Sequence, residues 1–490
     1  MAILECKSGQ DARSDLRPAA AAVPRAWRVL DAGRALDSGT RPVACSPRRE
    51  PPRHLRSWYL LLFYLLFFAA SGWCQEPDSL DGAAGQAVNL SRNEQWRQKR
   101  EQRLGEIRPM KQGRLERLML WVEERGMNFE YKGVTPGIAN FPSGSGFSPQ
   151  LRFWFPRIFD SPVDVQATAA YSFRNYQMYR FQVGRVLALD PQELVAEGDT
   201  GGLSKFRGLS RRPSDFFLYA DIGYYYYPEE DFFGIGPDSK QEERSNYLLE
   251  SGAYTAAVGF RVNPWLVLGG GAGLVQLSLR SGKDDRFPST EDVVYSAPVP
   301  GLEQAPDYYR YLTAAFVDYR DTPGNAHKGG FFGFQILRVD DKGGNEFEFT
   351  RYMFDARQYV PLGSPQRVLA LWFLTNFDDP DPGSEVPFYL MRTLGGGNTL
   401  RGFREFRFRD RNRMHLSAEY RWEASPVLEF ALFYDTGKVF SDSDDFNFGH
   451  LEDSIGFGAR FKTGGSTAMR VEVADSDEAT RYSWRFSASF

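Results

Sequence analysis

The sequence predicts an all-β fold, a transmembrane antiparallel β-barrel of sixteen strands preceded by a short N-terminal amphipathic helical segment. Three observations lead there. From about Phe129 onward, apolar and polar residues alternate with a period of two. Aromatic residues make up 15% of the chain and charged residues 25%, yet no run reaches the roughly 18 apolar residues of a spanning helix, which excludes a helical membrane protein. The final strand alternates and ends on an aromatic residue: Tyr482, Trp484, Phe486, Ala488 and Phe490 interleave with Ser483, Arg485, Ser487 and Ser489.

The chain opens with residues 1–53, rich in Arg, Ala and Pro and without apolar periodicity, which read as an upstream extension from a start assigned too early. Residues 54–74 read as a signal peptide. The apolar run Trp58 to Ala70 follows Arg53, His54 and Arg56 and precedes small residues, and it is too short to span as a helix. Cleavage is expected near Ala70 to Gly72 or after Cys74. A lipoprotein reading of the sequence before Cys74 fits poorly, because Trp73 stands where a small residue is needed. All three cysteines, Cys6, Cys45 and Cys74, lie in this region, so its removal would leave a chain without a thiol or cysteine metal site.

Residues 75–92 are small and polar, a linker. Residues 93–127 form the helical segment, with Leu115, Leu118, Met119 and Val122 on one face and Gly126 as a stop. It is expected to pack on or in the barrel mouth, or else to lie at the membrane interface.

The barrel is assigned to residues 128–490. Many strands carry charges of both signs on one face and apolar residues on the other. Leu416, Ala418, Tyr420 and Trp422 oppose Ser417, Glu419, Arg421 and Glu423, while Met469, Val471 and Val473 oppose Arg470 and Glu472. Ile455, Phe457, Ala459 and Phe461 oppose Arg460 and Lys462, and Phe216, Leu218, Ala220 and Ile222 oppose Tyr219 and Asp221. Mixed charge on one face suits a hydrated lumen, and an aromatic band on the other suits lipid. The remaining candidates are residues 134–141, 147–155, 163–173, 176–186, 246–262, 265–279, 308–320, 328–339, 346–360, 366–377 and 427–439. An even total lets an antiparallel sheet close without an exposed edge.

The most informative stretch is Val386 to Asp410. Gly395, Gly396 and Gly397 permit a tight or inward-folded backbone, and five arginines close together call for carboxylates or water. A phosphate-binding P-loop is a poor alternative, because no lysine follows at the right spacing. This stretch resembles the BamA/TamA superfamily of outer-membrane barrels, also called bacterial surface antigens. In that family a glycine-rich loop bearing Arg-Gly-Phe, here Arg401, Gly402 and Phe403, folds into the lumen. The resemblance implies that Arg401 meets acidic residues on the two following strands, Glu419 and Asp435, and fixes the loop against the far wall. Strand parity agrees independently. Glu419 lies on a charged face, and Asp435 shares a face with Glu429 and Ala431 while Leu428, Phe430, Leu432 and Tyr434 point the other way. Looser matches are Asp231 to Ser239 and Val317 to Gly330.

The resemblance implies an outer-membrane location and help in inserting or translocating outer-membrane proteins. The alternative is a passive pore or structural surface antigen. Assembly factors of the family carry POTRA domains, whereas the sequence ahead of the barrel offers only the helical segment. The expected partners are outer-membrane lipid, client outer-membrane proteins, and the cell's barrel-insertion machinery, which would read Tyr482, Trp484, Phe486 and Phe490 as an insertion signal. No nucleic-acid partner is expected from a net charge of −4. No enzyme activity, cofactor or metal is expected either. Past the signal region only His327, His415 and His450 remain, none in a catalytic or zinc-binding arrangement. The acidic run Asp442 to Asp445 reads as a solvated turn rather than a calcium site.

Overall fold

The computed structural model describes residues 133–185 and 216–486, apart from residues 143, 157, 159, 160, 162, 296, 297, 323, 324, 345, 464 and 465. The extension, signal peptide, linker, helical segment and Phe490 therefore lie outside the described residues.

Sixteen strands follow one another in a single antiparallel meander. They are β1 (Val134–Ile138), β2 (Pro149–Phe155), β3 (Asp164–Tyr171), β4 (Gln177–Arg185), β5 (Phe216–Phe232), β6 (Ser245–Asn263), β7 (Leu266–Ser281) and β8 (Tyr308–Asp318). The meander continues through β9 (Gly329–Asp341), β10 (Phe349–Pro361), β11 (Arg367–Pro380), β14 (Asn412–Ser425), β15 (Leu428–Phe440), β16 (Glu452–Thr463), β17 (Ser466–Ser476) and β18 (Thr480–Arg485). Between β11 and β14 a two-stranded ribbon, β12 (Arg392–Leu394) and β13 (Phe408–Asp410), stands apart from the main sheet.

The strands are inside-out relative to a soluble protein. Along β5, Leu218 and Ile222 are 54% and 51% exposed while Asp221 between them is 2% exposed. The same inversion recurs across the sheet: Val258, Phe334, Leu371, Leu432 and Phe457 face outward, while Arg180, Arg357, Glu419 and Arg460 are buried. Outward apolar side chains have their natural solvent in hydrocarbon, and inward charges can pair across a narrow lumen.

The two ends of the barrel differ. At one end the strands join through tight turns, such as that after β6, where Asn263 Oδ1 accepts the N–H groups of Trp265 and Leu266 at 3.0 and 2.8 Å. At the other end long loops emerge. β5 is 17 residues and β6 is 19, well beyond the roughly 9–11 that cross a bilayer, and both project toward the loop end. β5 does so past a register shift between Tyr227 and Glu230, where Pro228 cannot donate to the ladder.

The first strands are thin. β1 pairs with β2 over five residues and contains Pro136 and Gly137. Among the described residues, a side chain just past β1 reaches the backbone just past β18 at the outer edges of the sheet. Asn140 Oδ1 accepts the Phe486 N–H at 3.3 Å, and Asn140 Nδ2 donates to the Phe486 carbonyl at 3.5 Å. An amide with both donor and acceptor substitutes here for one rung of backbone pairing.

Candidate functional site: the loop folded into the lumen

The connection between β11 and β14 turns back into the barrel, and its two halves are held differently. The first half, Val386 to Met391, is buried in an apolar cluster with inward-facing residues of the early strands, including Tyr225, Phe232, Tyr247, Tyr308 and Phe349. Phe388 lies at the centre, its ring 4.9 Å from Phe232 and 5.1 Å from Tyr247. The hydroxyls of Tyr308 and Tyr389 lie 2.8 Å apart, so the polar tips of this aromatic plug are satisfied.

The second half contains the glycines and the Arg-Gly-Phe tripeptide. Gly395 and Gly396 have φ of 122° and 78°, which only glycine adopts without strain. A side chain at Gly397 would collide with Arg485. A Cβ at Gly402 would lie 2.6 Å from Ser454 Cβ and 2.8 Å from Ser476 Cβ, so this glycine lets the loop backbone touch the wall. Ser476 Oγ donates to the Gly402 carbonyl at 2.9 Å. Phe403 is buried beside Leu394, Leu400, Phe408 and Val439.

Arg401 is buried and forms the hub. Its Nε and Nη2 donate to the two oxygens of Asp435 at 2.7 and 2.6 Å, a forked pair, and its Nη1 donates to Glu419 at 2.6 Å. Nη1 also reaches Glu472 at 3.2 Å, and the guanidinium lies over Phe433, 3.4 Å from the ring centroid. Three carboxylates around one cation require further cations. Arg460 donates to Glu419 at 2.7 Å and to Glu429 at 3.2 Å, Arg421 to Glu419 at 2.8 Å, and Arg470 lies 3.3 Å from Glu472. Arg470 also donates to the Gly397 carbonyl at 2.7 Å, tying the network back to the glycines.

The structure thus brings Arg401, Glu419 and Asp435 together. It departs from the sequence reading in two respects. The resemblance set the whole loop against the far wall; its first half does pack on the early strands, but the glycine-rich half is held by the strands that follow it, β14 to β17. A third carboxylate, Glu472 on β17, joins the hub. Its place on the charged face of its strand was visible from parity; what was missing was the loop's reach to β17. Phe433, on the same face as Asp435, also went unread. The segment Asp231 to Ser239 touches the same loop: Gly236 N–H donates to the Arg409 carbonyl at 2.8 Å, and Arg407 donates to Ser239 Oγ at 2.9 Å. The segment Val317 to Gly330 begins in β8 and ends in β9, and within it His327 Nε2 lies 3.1 Å from Glu423. Tyr482, Trp484 and Phe486 face outward at the end of the sheet. Among the described residues no cluster of metal-ligating side chains occurs.

A sixteen-stranded transmembrane β-barrel whose own loop is locked into its lumen by a buried arginine is the class this fold and site define. Residues 143–488 match the Omp85 superfamily domain, and the chain belongs to that superfamily. Among solved structures, BamA from Haemophilus ducreyi lacking POTRA domains 1-3 is similar at 13% identity and a TM-score of 0.50, over 72% of this chain and 71% of that one. CdiB from Escherichia coli is similar at 12% identity and a TM-score of 0.45, over 72% of this chain and 62% of that one. At such identities the likeness is one of fold. No curated protein matches the chain.

Proposed function

We propose that this protein resides in the outer membrane and aids the insertion or translocation of other outer-membrane proteins, without catalytic chemistry of its own. The observation that carries this reading is the weak seam among the described residues: β1 offers five residues, including Pro136 and Gly137, and Asn140 bridges to Phe486 through its side chain. A sheet edge with few backbone bonds can exchange its partner for an incoming strand at low cost. The locked loop supports the same reading, since it keeps the remaining wall rigid while the seam exchanges. Outer-membrane lipid and client barrels are the proposed partners, and Tyr482, Trp484, Phe486 and Phe490 the proposed signal for the protein's own insertion. Depletion in the native organism followed by a census of outer-membrane proteins tests the proposal, with loss of other barrels as the expected result. An unchanged census would leave the passive pore or surface antigen in its place.

A further inference from the structure

We infer that the outer wall of the barrel holds one anionic glycerophospholipid in a fixed place, its acyl chain in a groove across β9 to β15 and its phosphate against Arg367. The inference deepens the reading of outer-membrane lipid as a partner and rests on that reading, not on the assembly of other barrels.

Two successive rungs of the outward face form the groove. Phe332, Ala356 and Phe373 stand side by side in one, and Leu371, Ala418 and Tyr434 in the next. They line a hollow of about 440 Å³. Two of the six are alanines, and neighbouring rings are drawn aside: Phe332 stacks on Tyr319 with centroids 6.2 Å apart, and Phe373 packs on Phe354 at 6.0 Å. Phe332, Leu371 and Tyr434 are exposed on the wall that faces hydrocarbon, so the hollow opens to the bilayer. Four interstrand steps separate β9 from β15, about 19 Å, against the roughly 15 Å of hydrocarbon in one leaflet. Two rungs span only about 7 Å, which fits a hydrocarbon chain and is narrower than the roughly 10 Å diameter of a helix.

Arg367 supplies the counter-charge for a phosphate. It is the first residue of β11, on the same outward face as Leu371 and about 13 Å from it along the strand. Paired with it in register is Trp422, an exposed indole of the kind that marks the membrane–water boundary. Among the described residues no carboxylate meets the exposed Arg367 side chain. Outward arginines toward the loop end differ: Arg338 is held by Asp340 at 2.5 Å and Asp381 at 2.7 Å, and Arg280 meets Glu250. A free cation at the boundary and an apolar groove above it match the two parts of one lipid molecule, and the cation favours an anionic over a zwitterionic headgroup.

Native mass spectrometry of the full-length, detergent-solubilised protein tests this, with phosphatidylglycerol and phosphatidylcholine of the same acyl chains as probes, beside Arg367→Gln and Ala418→Phe. The wild type should retain one phosphatidylglycerol about fivefold more tightly than phosphatidylcholine. Arg367→Gln should erase that preference, and Ala418→Phe, which fills the groove from the lipid side, should weaken both lipids. Phosphatidylglycerol should also raise the temperature of heat-modifiable unfolding of the wild type more than phosphatidylcholine does, a readout that needs no variant. Equal retention of the two lipids by the wild type, or unchanged phosphatidylglycerol retention by either folded variant, overturns the inference while leaving the barrel a membrane protein. Lipopolysaccharide retained in place of phosphatidylglycerol would also overturn it, by assigning the wall to the opposite leaflet. Recovery of the protein outside the membrane fraction would instead overturn the partnership on which the inference rests.

Discussion

The two walls of the lumen hold one loop by opposite means. The early strands, β3 to β10, grip Val386 to Met391 with aromatic and aliphatic side chains; the late strands, β14 to β17, grip Gly397 to Gly402 with charge. Apolar contact is non-directional and tolerates small shifts. A shared ion network tolerates few, because each carboxylate that loses its cation becomes a buried, uncompensated charge. The late wall should therefore behave as an all-or-none clamp and the early wall as a graded seal.

Removing the hub should separate the two most sharply. Arg401→Ala leaves Asp435, Glu419 and Glu472 facing one another, and a loss of about 3–5 kcal/mol is expected. Urea unfolding followed by loss of heat-modifiable mobility would show it, with Arg411→Ala nearly unchanged. Arg401→Lys should recover only part of the loss, since a point charge cannot reproduce the fork to Asp435.

On the early wall, Phe388→Ala opens a cavity among rings and should cost about 3 kcal/mol. The graded character predicts that the loop stays docked through Arg401 while the lumen becomes leakier. Larger single-channel conductance without release of the loop to protease would match that; release of the loop would mean that the walls are not independent.

Sequence reasoning was more successful on the late wall, for a physical reason. Period-two alternation assigns every strand residue to lumen or lipid, so Glu419 and Asp435 could be placed on the inner face before their partner was known. Parity says nothing about how a loop folds. Val386 to Met391 has no period, and its role as a plug depends on Tyr225, Phe232 and Tyr247, more than 130 residues earlier in the chain. The ribbon of β12 and β13 escaped for the same reason, since three-residue strands carry no readable alternation. Strand ends also moved: β5 runs ten residues beyond Ile222, because aromatic residues continue past the membrane band into the loop end.

Gly402→Ala should have a smaller effect, about 1–3 kcal/mol, as the loop backs away from Ser454 and Ser476. A crystal structure or disulfide mapping would register the shift, and Gly252→Ala, with its nearest neighbours at 3.9 Å, is the control. Least of all is expected from a loop pair beyond either wall. Asp284, between β7 and β8, accepts two side-chain hydrogen bonds from Arg286 at 2.7 Å, which hold its carboxyl below the usual carboxylate range. A folded value below the unfolded one means that the contribution is present above about pH 4 and disappears as pH falls through the folded value. Protease protection of this loop, titrated from pH 5 to 2, should decline in the wild type and stay flat in Asp284→Asn.

The hub also imposes an order of events on the chain as it is built into a membrane. Arg401 precedes all three of its carboxylates, and Glu472 comes 71 residues after it. A chain halted after β15 can satisfy the bonds to Glu419 and Asp435, but the bond to Glu472 and the Arg470 tether to Gly397 wait for β17. Closing so long a loop carries an entropy cost that only the finished contact offsets. The last part of the clamp thus sets late, once nearly the whole sheet is in place, and its setting marks completion.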